Sequence, residues 1–265
     1  MSIAETYMPE VAPAQRVAPV GDAFRLQPLK ALRALGRLLK DKEDTAQVFE
    51  IMRALSGRSI PNGYAKLLKS PAGGSIAFRH QELADILSDK EFLSRLPEGS
   101  VGRAYLHFTT SENISAQGLI EESRKGMEDE ALDSAHPYAW YGRRMRDIHD
   151  LWHVLTGYGR DALGETCVVS FSYAQTKSAG FALIGAAGAL KLRKELGGGH
   201  PFVGAAWQAY RNGAKAAWLP GEDYVRLLSE NLDAARARLN IARPTIYQSI
   251  PDAVRNGNGE MMAAA

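Results

Sequence analysis

Two imidazoles and two carboxylates stand at metal-ligand spacing in this chain: His149, Asp150 and His153 within one short run, then Glu165. If residues 146–153 are helical, His149 and His153 project from one face on successive turns and can converge on one cation. Asp150 lies about 100° further round such a helix, so it is either a ligand or a partner beside the ligands. Histidines four apart are common on solvated helix faces, and it is the two added carboxylates that turn the pattern into a candidate site for one divalent ion. Two imidazoles with one or two carboxylates suit zinc, iron, manganese or cobalt, and the residues alone do not choose between them. An ion held this way acts as a Lewis acid on an oxygen-bearing group. The pattern is not the metalloprotease His-Glu-x-x-His, because Asp follows His149. Nor is it a di-iron carboxylate set, since the chain contains no Glu-x-x-His.

These residues also carry a family resemblance. His149, Asp150, His153 and Glu165 match every fixed position of His-Asp-x-x-His-x11-Glu, the signature of the coenzyme Q biosynthesis protein 4 family of ubiquinone synthesis. The likeness continues through residues 146–148 before the motif and 154–164 inside it, with weaker blocks at 44–51, 96–105 and 213–215. In all it spans about residues 25 to 245. The resemblance implies that His149, Asp150, His153 and Glu165 are both the metal ligands and the catalytic residues, and it favours zinc. It also implies oxidative decarboxylation, in which a hydroxyl replaces the ring carboxylate of a prenylated 4-hydroxybenzoate-type precursor, together with partnership with other ubiquinone-synthesis enzymes. Zinc does not exchange electrons, so dioxygen would have to react with an electron-rich phenolate, or the ion would have to be redox-active. A second reading is a non-catalytic organiser that holds the prenylated lipid for partner enzymes. A metallohydrolase fits least, because no residue of the motif is left over as a general base.

The elements that must position these side chains read as helices, giving an all-α fold: one helical-bundle-like domain with a metal site between helices and an apolar groove for a prenyl lipid. Gly157 and Gly159 break the periodic pattern after His153, and Asp161 is placed to start a new helix with Glu165 in its first turn. Leu29, Leu32, Leu35 and Leu39 form an apolar stripe beside Lys30, Arg33, Arg37 and Lys40. Such a helix packs on the core or meets anionic lipid headgroups. Further stripes run over residues 45–55, over 80–93 with Leu83, Ile86 and Leu87 inward, and over 225–239 after a break at Pro220 and Gly221. Residues 167–192 read as one long helix with a ridge of small side chains at Ala174, Ser178, Ala182, Gly185 and Ala189. That ridge serves close helix packing or, given the resemblance, forms a wall for a polyprenyl tail. The uncharged run 178–190 is too short for the approximately 20 residues of a membrane span.

The domain is expected over residues 25–245, between a disordered leader (1–24) and a flexible tail (246–265). The leader's acidic residues and prolines fit neither a secretory signal nor a basic transit peptide. Without a transit peptide, the Ala- and Gly-rich chain reads as a bacterial cytoplasmic protein, with a peripheral place on the inner face of the membrane left open. A chain of 265 residues with 45% hydrophobic side chains can bury its own core, with a homodimer open. Its net charge of +2, without a basic run, argues against nucleic acid as a partner. Cys167 is the only cysteine, which excludes an internal disulfide, and its place on the helix after Glu165 makes it a core residue. Arg143, Arg144, Arg146 and Lys177 are candidates to grip a substrate carboxylate. His80, His107, His136 and His200 have no spacing that joins them to the site.

Overall fold

The structure, a computed structural model, describes residues 25–40, 44–111 and 136–255. These form α1 (Pro28–Leu38), α2 (Thr45–Ala54), α3 (Ser59–Leu68), α4 (Gly73–Arg79), α5 (Leu83–Ser88), α6 (Lys90–Arg95), α7 (Val101–Ser111), α8 (Pro137–Asp147), α9 (His149–Thr156) and α10 (Ala162–Thr176). Then follow α11 (Ala179–Glu195), α12 (Phe202–Lys215), a 3-10 turn (Leu219–Gly221), α13 (Tyr224–Leu227), α14 (Leu232–Arg238), α15 (Thr245–Gln248) and α16 (Asp252–Arg255). Among the described residues there is no strand beyond one bridge between Ser100 and Asn231, as an all-α sequence predicts.

The frame is α10, packed between α11 and α12. It is apolar on most sides, and a helix of that kind is stable only when surrounded. Leu163, Cys167, Val168 and Phe171 are accordingly fully buried, which bears out the core placement of Cys167. Across this frame lies α9, whose Trp152 meets Phe171 edge-on at 6.0 Å. The Trp152 indole N–H donates to the Tyr224 hydroxyl at 2.7 Å, so the buried polar edge of the ring is satisfied.

Four expectations are corrected. Residues 167–192 are a hairpin rather than one helix, because Lys177 adopts a left-handed conformation (φ +58°) that ends α10 and turns the chain back. The ridge of small residues then faces the protein's own helices. A Cβ added to Gly185 would stand 2.6 Å from Ser170 Oγ, and one on Gly188 2.6 Å from Thr166 Oγ1. Close helix packing uses this surface, so the apolar wall expected for a lipid tail is already covered. The stripe 80–93 divides at Asp89, whose carboxylate accepts the Phe92 N–H and starts α6. The stripe 225–239 divides at Asn231, which caps α14 by accepting from Asp233 and Ala234 N–H.

On α1 the leucines do not all turn inward. Ala31 and Ala34 are the fully buried residues, while Leu29 and Leu32 are 70% and 55% exposed. The alanines let α1 sit close to Ile51, Ala54, Leu183 and Ile184 of α2 and α11, with Leu35 and Leu38 half-buried at the margin. At the other end, the tail expected from residue 246 packs instead: Tyr247, Ile250 and Val254 are buried in the main core. The leader 1–24 and residues 256–265 lie outside the described residues. No described helix is long and apolar enough to cross a membrane.

Candidate metal centre

The ligand-bearing segment is jointed. Helix α8 ends at Asp147, Ile148 (φ −83°, ψ −3°) separates the two helices, and α9 begins at His149. His149 and His153 therefore share one helical face, as their spacing predicts, on a helix that starts later than the sequence suggests. Gly157 ends α9 with φ +76°, a conformation that costs any other residue about 1–2 kcal/mol, and its N–H returns to the His153 carbonyl at 2.8 Å. Asp161 then caps α10 by accepting the Gly164 N–H at 2.9 Å, which places Glu165 in the first turn. Gly164 has no room for a side chain, since a Cβ there would stand 2.0 Å from the Gly159 carbonyl oxygen. The loop is clasped from outside by Tyr247, whose hydroxyl accepts the Gly159 N–H at 2.9 Å and donates to Asp161 Oδ2.

Three of the four expected ligands converge. His153 Nε2 lies 3.3 Å from His149 Nε2 and 3.4 Å from Glu165 Oε2, and His149 Nε2 lies 3.6 Å from the same oxygen. Ligands held about 2.0–2.1 Å from a tetrahedral ion are roughly 3.3–3.4 Å apart, so the three atoms have the dimensions of one tetrahedral face. The buried ring of His153 is oriented by its other nitrogen: Nδ1 lies 3.1 Å from the Tyr158 carbonyl oxygen. A carbonyl can only accept, so Nδ1 carries the hydrogen and Nε2 presents a lone pair to the cluster. Phe108 stacks on the same ring at 5.5 Å. Lone pairs and a carboxylate this close repel one another unless a proton or a cation lies among them.

The electrostatics point the same way. Burial alone would lower the pKa of His153, but the Glu165 charge and hydrogen bond, with Asp150 further off, raise it above the ordinary histidine value. Burial would raise Glu165, yet the facing His153 and His149 hold it well below the usual carboxylate range. A field that draws a proton onto His153 also draws a metal ion. The donor set and its spacing fit one divalent ion held by His149, His153 and Glu165.

Asp150 does not join this cluster. It is buried on α9 beside the three donors, where its charge acts on His153 and on the Tyr105 hydroxyl. The arginines named from the sequence are engaged elsewhere. Arg143 pairs with Glu82 at 2.6 Å, Arg144 donates to the Pro220 and Glu222 carbonyls, and Arg146 pairs with Asp147 at 2.7 Å. Lys177 lies over Tyr173 and Tyr210 beyond the far end of α10. His80 stacks on Trp140 and His136 caps α8, and neither they nor His107 and His200 belong to the cluster.

The cation at the rim is Arg160, which sequence reasoning missed. Its Nε is 3.4 Å from Glu165 Oε1 and its side chain is 41% exposed. Its place in the loop just ahead of Glu165 was the available signal. Phe108 left none.

Comparison with known proteins bears out the family resemblance. Residues 28–245 match the family model described as coenzyme Q (ubiquinone) biosynthesis protein Coq4. The zebrafish (Danio rerio) mitochondrial ubiquinone biosynthesis protein COQ4 homolog is 30% identical over 74% of this chain and 68% of its own length. The human mitochondrial homolog is 28% identical over 69% of this chain and 65% of its own. The chain thus spans about two thirds of the curated relatives it matches. A crystal structure of a putative ubiquinone biosynthesis protein from Nostoc punctiforme superposes with TM-score 0.59 over 82% of this chain and 99% of that one. At 18% identity, that likeness shows a shared fold. The chain belongs to the coenzyme Q (ubiquinone) biosynthesis protein Coq4 family.

Proposed function

We propose that this chain is a metal-dependent protein of ubiquinone synthesis that acts in the oxidative decarboxylation of a prenylated 4-hydroxybenzoate-type precursor. The observation that carries the reading is the convergence of His149 Nε2, His153 Nε2 and Glu165 Oε2 within 3.6 Å of one another. His149, His153 and Glu165 would hold the ion, most plainly zinc, with Asp150 supporting His153 from beside it. The ion, when bound, supplies Lewis acidity toward a carboxylate or phenolate oxygen of the ring.

The protein's own residues do the remaining work. The Tyr158 carbonyl fixes the tautomer of His153, and Phe108 packs the ring from one side. Arg160, half in water at the rim, can exchange its contact with Glu165 for the substrate carboxylate and so orient the ring. Replacing a ring carboxylate by hydroxyl breaks the ring–carboxylate bond, releasing carbon dioxide, and forms a carbon–oxygen bond; written with water as the oxygen source, the two electrons removed reduce one dioxygen to hydrogen peroxide. Other ubiquinone-synthesis enzymes are the expected partners for delivery and removal of the lipid.

The test is to incubate metal-loaded protein with a prenylated hydroxybenzoate under air. Carbon dioxide release that disappears in His153→Ala, and that needs more substrate for half-maximal rate in Arg160→Ala, supports the enzyme. Tight binding without release would replace this reading by a lipid-binding organiser.

A further inference from the structure

The outward face of α1 is built opposite to the usual rule. An isolated surface helix buries leucine and shows alanine, whereas here Ala31 and Ala34 are fully buried and Leu29 and Leu32 face water. Just before the helix, Leu26 is 54% exposed as well. Between Arg25 and Lys40 the chain carries five basic residues and no acidic one. Lys30 and Arg37 turn toward Glu50 of α2, at 4.0 and 2.7 Å, while Arg25, Arg33 and Lys40 are exposed beside the leucines.

From this pairing, and resting on the reading that the substrate is a prenyl lipid, we propose that α1 seats the protein on an anionic bilayer surface. Leu26, Leu29 and Leu32 enter the interface, and Arg25, Arg33 and Lys40 meet the lipid phosphates. The charge pattern selects this occupant over a second copy of the chain. A two-fold contact through α1 would set the same cations against each other, whereas phosphates neutralise them.

The position of α1 gives the contact a use. Lys191 Nζ donates to the Leu39 carbonyl at 2.8 Å, so the end of α1 is tied to the last part of α11. One turn earlier on α11, Gly188 packs against Thr166, the residue after Glu165. The C-terminal end of α1 and the ligand-bearing start of α10 are therefore at the same end of the α10–α11 hairpin, so α1 runs from its exposed leucines toward the metal centre.

The test is flotation of the full chain with vesicles of phosphatidylcholine, alone or mixed with phosphatidylglycerol, compared with a Leu29→Glu/Leu32→Glu double variant and with Arg33→Glu. Both leucines are more than half exposed, so the double variant is expected to keep its circular dichroism spectrum and its metal content. Expected are binding to the mixed vesicles that weakens with salt, a loss of about tenfold or more in the double variant, and a smaller loss in Arg33→Glu confined to the anionic vesicles. Equal vesicle binding by parent and double variant, or no binding by the parent, overturns the proposal. So does a fall in the parent's mass by light scattering, without lipid, on introducing the two glutamates, since a second copy would then be what covers the face. Metal content of the unaltered protein is read separately, so a failed flotation leaves the metal centre standing.

Discussion

His153 and Tyr158 are joined through a single contact, ring Nδ1 to main-chain carbonyl at 3.1 Å, and that contact decides which nitrogen faces Glu165. The carbonyl is aimed by the turn at Gly157, where φ is +76°. A Cβ on Gly157 would meet only ordinary contacts, about Arg236 and Pro244 at 3.8 Å, so the cost of substitution there is in the backbone. Gly157→Ala is expected to lose about 1–2 kcal/mol, roughly 2–8 °C in Tm for a domain of this size. Metal affinity should fall with it. Thermal melts with and without added zinc check both, and an unchanged affinity would separate the turn from the site.

The geometry sets Asp150 apart from the donors His149 and Glu165. Glu165→Gln and His149→Ala each remove a donor and should abolish stoichiometric metal binding at concentrations where the parent is saturated. Asp150→Asn removes a neighbour and should weaken binding by about 10- to 100-fold, the range for groups that orient a ligand. Competition against a chromophoric chelator measures all three. A loss in Asp150→Asn as severe as in Glu165→Gln would make Asp150 a ligand.

Metal-free protein should show a pH dependence opposite to that of loaded protein. The raised pKa of His153 means that the folded chain holds a proton more tightly than the unfolded chain does. That stabilisation is complete below about 6.5, the unfolded value, and disappears as pH rises through the higher folded value. The lowered pKa of Glu165 contributes stability above the unfolded value, lost as pH falls through its folded value. With chelator present, melting temperature should therefore decline from mildly acid to mildly alkaline pH, and Glu165→Gln should flatten the decline. The increment from zinc should grow over the same interval, because protons no longer compete. Differential scanning calorimetry across that interval decides it.

Gly185 tests the use of the small-residue ridge. Leucine at this position would force its Cβ to within 2.6 Å of Ser170 Oγ and against Val169. Overpacking of this kind costs typically 1–3 kcal/mol. Urea denaturation of Gly185→Leu should show that loss; stability equal to the parent would mean that the ridge borders open space.

Much of the site was legible because it is local. The i, i+4 histidines, the turn at Gly157 and the Asp161 cap all lie within one short stretch, and each has a side-chain or backbone signature. Asp89 and Asn231 are also residues that favour helix starts, and unbroken hydrophobic periodicity concealed them. Lys177 could not be read, since nothing in a lysine between Thr176 and Ser178 announces a left-handed backbone. The burial of Ala31 and Ala34 in place of Leu29 and Leu32 depends on how closely α2 and α11 approach, and periodicity contains no information about the partner surface. Phe108 became part of the site only when a distant segment was brought to the same corner, whereas Arg160 stood close by in the chain and only its contact with Glu165 went unread.

The clasp by Tyr247 sets an order of events during synthesis. All three donors are made well before Tyr247, yet the loop between them stays unlatched until that tyrosine reaches Gly159 and Asp161. An ion taken up by a nascent chain would sit in an unfinished cradle, and firm retention should begin only once the closing segment has docked. Polypeptides stopped short of position 247 should release zinc to a chelator faster than those extending past it.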